Sequence, residues 1–254
     1  MRILRDTEPD IRRIVKLPIR ELVKRFHSEG HSEEGGSRCH RYRSWEHCYA
    51  HFQEAGNRRT DEKSLQWASL HLGFYLASWG MYRPSSFLLQ KDYFVHTPVV
   101  KCLFAPEHQR LWSCDDLIKK RDGEFVGEVA TLVSEVKKAY LDEFRNSHEG
   151  RIDKTADDVS DTLVTKVLLG TMGCCPAYDR YFVDGSRGRI KPLCFNAKSL
   201  NGIIGFIGDN LPTLLQIQEE FAESRGGVRY PLMKLVDMCF WQKGYEEDKA
   251  QEGG

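Results

Sequence analysis

The stretch from Leu65 to Met81 constrains the fold most. Thr60 or Asp61 can cap a helix running to about Ser78. Its apolar residues Leu65, Trp67, Ala68, Leu70, Leu72, Phe74, Tyr75 and Leu76 fall nearly all the way round the axis. A helix without a polar face has to be wrapped by others, so the sequence predicts a central, buried helix here. It is too interrupted to cross a membrane. Gln66, Ser69, His71 and Ser78 break it, and no stretch reaches the ~18 uncharged apolar residues that a span needs.

The rest of the chain supplies wrapping helices. Asp10–His27 carries a roughly helical apolar pattern broken at Pro18. Ser44 can cap a helix through Glu54, with Trp45, Cys48, Tyr49 and Phe52 on one face. Ser85 or Ser86 can start another, with Phe87, Leu88, Leu89, Tyr93 and Phe94, and Pro98 restarts it. Ser113 with Asp115 and Asp116 puts acids where a helix dipole favours them. Gly123–Phe144 is the cleanest amphipathic segment. Further helices are expected from Thr155 or Asp157 to Gly170, after Pro176, over Ser199–Phe221 with a kink at Pro212, and from Pro231 to Trp241. No run of five or more residues alternates apolar and polar. The fold class is all-α: a single globular multi-helix domain of about nine or ten helices. Residues 1–40 read as an N-terminal helical extension, 41–245 as the core with a lobe break at 146–155, and 246–254 as a polar tail.

Composition narrows function. Lys plus Arg equals Asp plus Glu at 37 each, so no global field draws the chain to nucleic acid or an acidic membrane. The N-terminus has no apolar segment of the secretory kind, and the eight cysteines show no framework spacing. They read as reduced thiols of a cytoplasmic protein. No phosphate loop, dinucleotide-binding glycine motif or nucleophile elbow is present, so no cofactor is expected.

Four groups could carry chemistry. Arg83-Pro84-Ser85-Ser86 offers two hydroxyls, a guanidinium and a helix start, which suits an anion; its plain alternative is an N-cap. Trp79, Tyr82 and Phe87 flank it and could stack a base or simply pack. Tyr178-Asp179-Arg180-Tyr181 sets an acid beside a cation among aromatics, so Asp179 is a general-base candidate and equally a buried structural pair. The basic loop beyond it, Arg187, Arg189, Lys191 and Lys198, suits a phosphate backbone or plain solvation. A Cys/His cluster spans His27–His51, where Cys48 and His51 share a helix face and Cys39 could add a third zinc ligand. Core cysteine and surface histidine is the simpler reading, and no metal is expected. Glu46 and His47 could instead act as an acid–base pair. His71, on the apolar central helix, reads as a hydrogen-bonded core residue, and Cys174-Cys175 as packing.

Four strings, RYRSWEHCYAHF (41–52), LHLGFYLASWGMYRPSSFLLQKDY (70–93), LLGTMGCCPAYDRYF (168–182) and YPLMKLVDMCFWQKG (230–244), resemble a family of uncharacterised bacterial all-helical proteins, which supplies no activity. The segment Lys166–Phe182 is also similar to part of the helical DNA-glycosylase superfamily, where a hairpin-to-aspartate region carries catalysis. Asp179 matches that aspartate by its place after Pro176, but the family's hairpin and an identified catalytic lysine are missing. The leading expectation is a protein binding nucleic acid or a phosphorylated ligand. Arg83, Ser85, Ser86, Arg180, Arg187, Arg189 and Lys191 would hold phosphate, Tyr178 would stack, and Asp179, His47 and Glu46 are the acid–base candidates. The alternatives are a non-enzymatic interaction module with a protein partner, of the kind found in stress or phage-defence complexes, or a small-molecule enzyme using Glu46, His47, His71 and Asp179. The interaction module predicts a large exposed apolar patch.

Overall fold

A computed structural model describes residues 17–31, 40–54, 56, 58–146, 159–224 and 228–252. Cys39 and the chain between 147 and 158, which holds most of the expected lobe break, lie outside them. Ten α-helices follow in order: α1 (Ile19–His31), α2 (Arg43–Gln53), α3 (Glu62–Ser78), α4 (Thr97–Leu103), α5 (Cys114–Lys119), α6 (Phe125–Asn146), α7 (Asp161–Thr171), α8 (Arg180–Ser186), α9 (Ala197–Ser224) and α10 (Leu232–Glu252). Two 3₁₀ turns, Tyr93–His96 and Pro106–Ser113, flank α4. No strand occurs among the described residues. The all-α class is therefore correct.

Local chemistry sets the helix starts. The side chains of Asp61, Ser160 and Asp179 each accept a backbone N–H from the first turn of α3, α7 and α8. Asp122 does the same for Glu124 and Phe125 at α6. These bonds satisfy donors that a helix cannot satisfy itself. Pro212 lies inside α9, which continues through it.

The helices form two clusters. α10 packs on α8, α1 and α9, while α3, α2, α4, α6 and α7 pack on one another with the 3₁₀ turns; α6 meets α9 between them. α1 buries Leu22, Val23 and Phe26, so the described part of the N-terminal segment belongs to the common core.

Several local expectations need correction. Ser44 does not cap α2, which starts at Arg43 after Tyr42 without a side-chain cap. α10 runs past Trp241 to Glu252, so residues 246–252 are helix and not a tail. The helix expected from Ser85 is absent, and residues 81–92 form successive turns. Phe87, Leu88 and Leu89 are consecutive, and a helix would spread them over most of its circumference. The turns instead bury Phe87 and Leu88 and leave Leu89 outside. The central position also goes to different helices. Every residue from Leu163 to Tyr178 is buried, as is every one from Tyr230 to Gln242, whereas α3 is covered on one side only.

α8 and α10 approach closely because glycines face each other. A Cβ on Gly185 would overlap the Phe240 carbonyl oxygen, and one on Gly244 would overlap that of Tyr181. Backbone on both sides cannot yield as a flexible side chain can. Gly244→Ala is expected to cost about 3 kcal/mol, at the upper end for overpacking, read as a lowered urea midpoint with unchanged slope.

Candidate functional site

Charges buried in a protein interior need partners, because desolvation costs several kcal/mol per ion. Lys166, Lys234 and Asp237 are 4%, 2% and 3% exposed. Lys166 Nζ donates to Asp179 Oδ2 at 2.7 Å, and Lys234 Nζ to Asp237 Oδ2 at 2.9 Å. The second oxygen of each acid is also engaged. Asp179 Oδ1 accepts the Phe182 N–H at 3.1 Å, and Asp237 Oδ1 the Ala177 N–H at 3.0 Å. Burial pushes the Asp237 carboxyl up, with Lys234 pulling the other way and Asp179 adding to the rise.

Aromatic rings close over this quartet. The Trp79 ring centre lies 5.0 Å from Lys166 Nζ and 5.5 Å from Lys234 Nζ. Lys234 Nζ also lies 4.8 Å from the Phe26 ring and 5.2 Å from that of Trp45. Phe26, Tyr42 and Trp79 are mutually parallel within 13°, and Trp241 stands edge-on to all three. Rings turn their electron-rich faces to ammonium groups, an attraction that strengthens when water is excluded. Six helices (α1, α2, α3, α7, α8 and α10) thus meet around two ion pairs.

The structure places the predicted residues as follows. Asp179 meets Lys166 of α7. Tyr178 is buried, its hydroxyl 2.8 Å from Ser199 Oγ, and is not a free stacking platform. Arg180 donates to Asp248 and Arg187 to Asp184 at 2.8 and 2.6 Å. Arg187, Lys191 and Lys198 border one open groove of about 510 Å³, so part of the basic loop does come together. Arg83 and Ser85 are exposed, and Ser86 Oγ accepts from Leu88 N–H within a turn, not at a helix start. Glu46 accepts the Tyr230 hydroxyl and pairs with Arg43. His47 is exposed. His71 lies flat on His51, ring centres 4.1 Å apart, and burial lowers the affinity of both for protons, His51 to about 4. Cys48 is fully buried and burial pushes its thiol up. Glu46, His71 and Asp179 therefore each answer to different neighbours.

A cleft of about 650 Å³ opens between Tyr49, Gln53, Trp112, Asp115, Lys119 and Arg229. Its innermost acid is committed to the fold: Asp115 accepts the Leu232 N–H and the Gln218 amide.

The sequence reading missed two clusters. One is Lys234–Asp237, whose signal was available as two charges in the otherwise apolar run PLMKLVDMCFW. The other joins Cys102, His108 and Glu135 from three separate elements.

A different kind of site lies outside. The exposed large apolar side chains of the described residues are Trp67, Leu70, Phe74, Leu89 and Phe94, between 41% and 58% exposed. All five fall within residues 67–94. Three lie on α3, whose outward positions Lys63, Trp67, Leu70, Phe74 and Ala77 follow a four-three-four-three spacing. That spacing is the seam of helix-on-helix packing. Phe94 stacks on Tyr93 in the 3₁₀ turn that packs beside α3. No described helix is long and apolar enough to cross a membrane.

Compared with known proteins, the chain matches no family model, no curated protein and no solved structure. Function rests on the side chains themselves.

Two predictions follow from the buried polar groups. Lys234→Met leaves the buried Asp237 without its ammonium partner, which should cost about 3–5 kcal/mol in urea unfolding; adding Asp237→Asn, which removes the charge but can still accept the Ala177 N–H, should recover part of that loss. His96, fully buried, holds Tyr82 and Tyr140 through its two ring nitrogens at 2.8 Å each, and burial lowers its pKa to about 3. The unfolded chain binds the proton more tightly, so this stability is complete above pH ~6.5 and is lost as pH falls toward 3. The loss is on the order of 4 kcal/mol. His96→Gln should flatten the stability profile across that window, measured by urea melts at successive pH values.

Proposed function

We propose that this chain is a protein-interaction module that pairs with a second copy of itself through the outer face of α3. The observation that carries this reading is that every exposed large apolar side chain among the described residues falls within residues 67–94, three of the five along the outward face of α3. Scattered apolar residues are normal on a surface, whereas a contiguous patch marks a contact.

The pattern on α3 fits a copy of itself. Its outward residues are nearly symmetric about Leu70, with Lys63 and Ala77 seven positions either side, Trp67 three before and Phe74 four after. In an antiparallel pairing centred on Leu70, Leu70 meets the partner's Leu70, Lys63 meets the partner's Ala77, and Trp67 comes within one position of the partner's Phe74. Such a contact is isologous, the same patch serving both sides, as twofold dimers require. Lys63 then lies by the C-terminal end of the partner's α3, where the helix dipole favours a cation. With zero net charge the copies do not repel strongly. Five half-exposed large side chains offer roughly 500 Å² of apolar area. A standard interface buries about 800 Å² per partner, leaving a polar rim to supply the remainder.

Less supports a phosphate or nucleic-acid role. The Arg83–Ser86 segment lacks the helix start on which anion binding was expected, and Arg180 and Arg187 already have acidic partners.

The test is sedimentation equilibrium of the full chain beside Phe74→Glu. The wild-type chain should sediment as a dimer at micromolar concentration. Phe74→Glu should be monomeric, with unchanged far-ultraviolet circular dichroism because Phe74 is outside the core. A wild-type chain that stays monomeric at all concentrations overturns the proposal, as does a Phe74→Glu dimer of undiminished affinity.

A further inference from the structure

The geometry points to a divalent transition-metal site, with zinc as its first ion, held by Cys102, His108 and Glu135. The three side chains come from α4, the 3₁₀ turn Pro106–Ser113 and α6. Their ligand atoms all lie within 4.8 Å of one another. Glu135 Oε2 sits between the others, 2.7 Å from His108 Nε2 and 3.8 Å from Cys102 Sγ. A tetrahedral zinc ion with bonds of about 2.0–2.3 Å sets its ligands about 3.3–3.8 Å apart. The observed separations bracket that range, so an ion needs shifts of an ångström or less and no backbone rearrangement.

The donor set selects the ion. Thiolate, imidazole and carboxylate together suit zinc, whereas magnesium and calcium take oxygen alone. Access and anchoring are divided. His108 is buried and fixed, while Cys102 is partly buried and the Glu135 side chain is 44% exposed, so solvent can deliver the ion. Glu107, next to His108 in the chain, acts electrostatically on the Cys102 thiol and adds a second negative charge. Three protein ligands leave one position for water, the arrangement of an open site.

Binding balances simply. The Cys102 thiol releases its proton to solvent as the sulfur–metal bond forms. His108, which donates from Nε2 to Glu135 without metal, keeps one proton, moved to Nδ1. One proton leaves per ion bound.

The inference is independent of the α3 face and is tested with cobalt(II) chloride added to the full chain. One equivalent should bind, with a thiolate-to-cobalt charge-transfer band and visible bands of tetrahedral intensity, and zinc chloride should bleach both. Cys102→Ser, nearly isosteric, should abolish the charge-transfer band. Glu135→Gln, which can still accept from His108, should weaken binding about tenfold or more. The assignment fails if the wild-type chain shows no charge-transfer band. It fails equally if the band survives Cys102→Ser, which would place the metal on another thiol, or if Glu135→Gln binds as tightly as wild type.

Discussion

Two lysine–aspartate pairs closed beneath one tryptophan govern this structure. Lys166 belongs to α7, Asp179 to the start of α8, and Lys234 and Asp237 to α10. Trp79 ends α3 and lies over both ammonium groups. Coulomb attraction at these distances offsets a desolvation cost of several kcal/mol per ion only when every partner is in place. A helix displaced by one turn would leave a charge alone in an apolar medium. The pairs thus act against alternative packings of helices whose apolar faces would otherwise tolerate them. Asp179 shows how tightly the constraint is drawn, since one oxygen caps α8 and the other holds Lys166.

The surroundings fit the same logic. His96 is accommodated as a neutral ring between two tyrosine hydroxyls. Asp115 is accommodated by a backbone N–H and an amide. Buried polar groups with satisfied partners specify one arrangement of a core that apolar contact alone leaves degenerate. By contrast, α3 carries more apolar surface than its neighbours cover. Leu65, Ala68, Leu72, Tyr75 and Leu76 face inward, and Trp67, Leu70 and Phe74 do not. In the pairing proposed above, the partner's α3 would cover that excess.

Much of the fold was legible before the structure. The apolar spacing of Phe125, Val129, Leu132, Val133, Val136 and Tyr140 describes α6, and all six are buried. Asp61 caps α3 as its residue type implies. The candidate sites were less legible. Asp179 and Lys166 stand 13 positions apart, and the sequence left open whether the acid met a cation, a ligand or solvent. Cys102, His108 and Glu135 carry no motif spacing, because they converge only when α4, a 3₁₀ turn and α6 pack together. The four charges of PLMKLVD and the Lys166–Asp179 segment look unremarkable singly, and their meeting is a property of six helices at once.

The sequence by itself determined the helical class and many, though not all, of the places where helices begin; no strand occurs among the described residues. Those depend on side-chain period, capping and Gly or Pro, which act within about one turn of helix. The tertiary structure decided which helix occupies the centre, which charges meet, and which apolar face stays outside. A residue's spacing records that a face must leave water but not what covers it. Coverage is a competition among all helices for a limited core, and here α7 and α10 won it while α3 kept one side exposed.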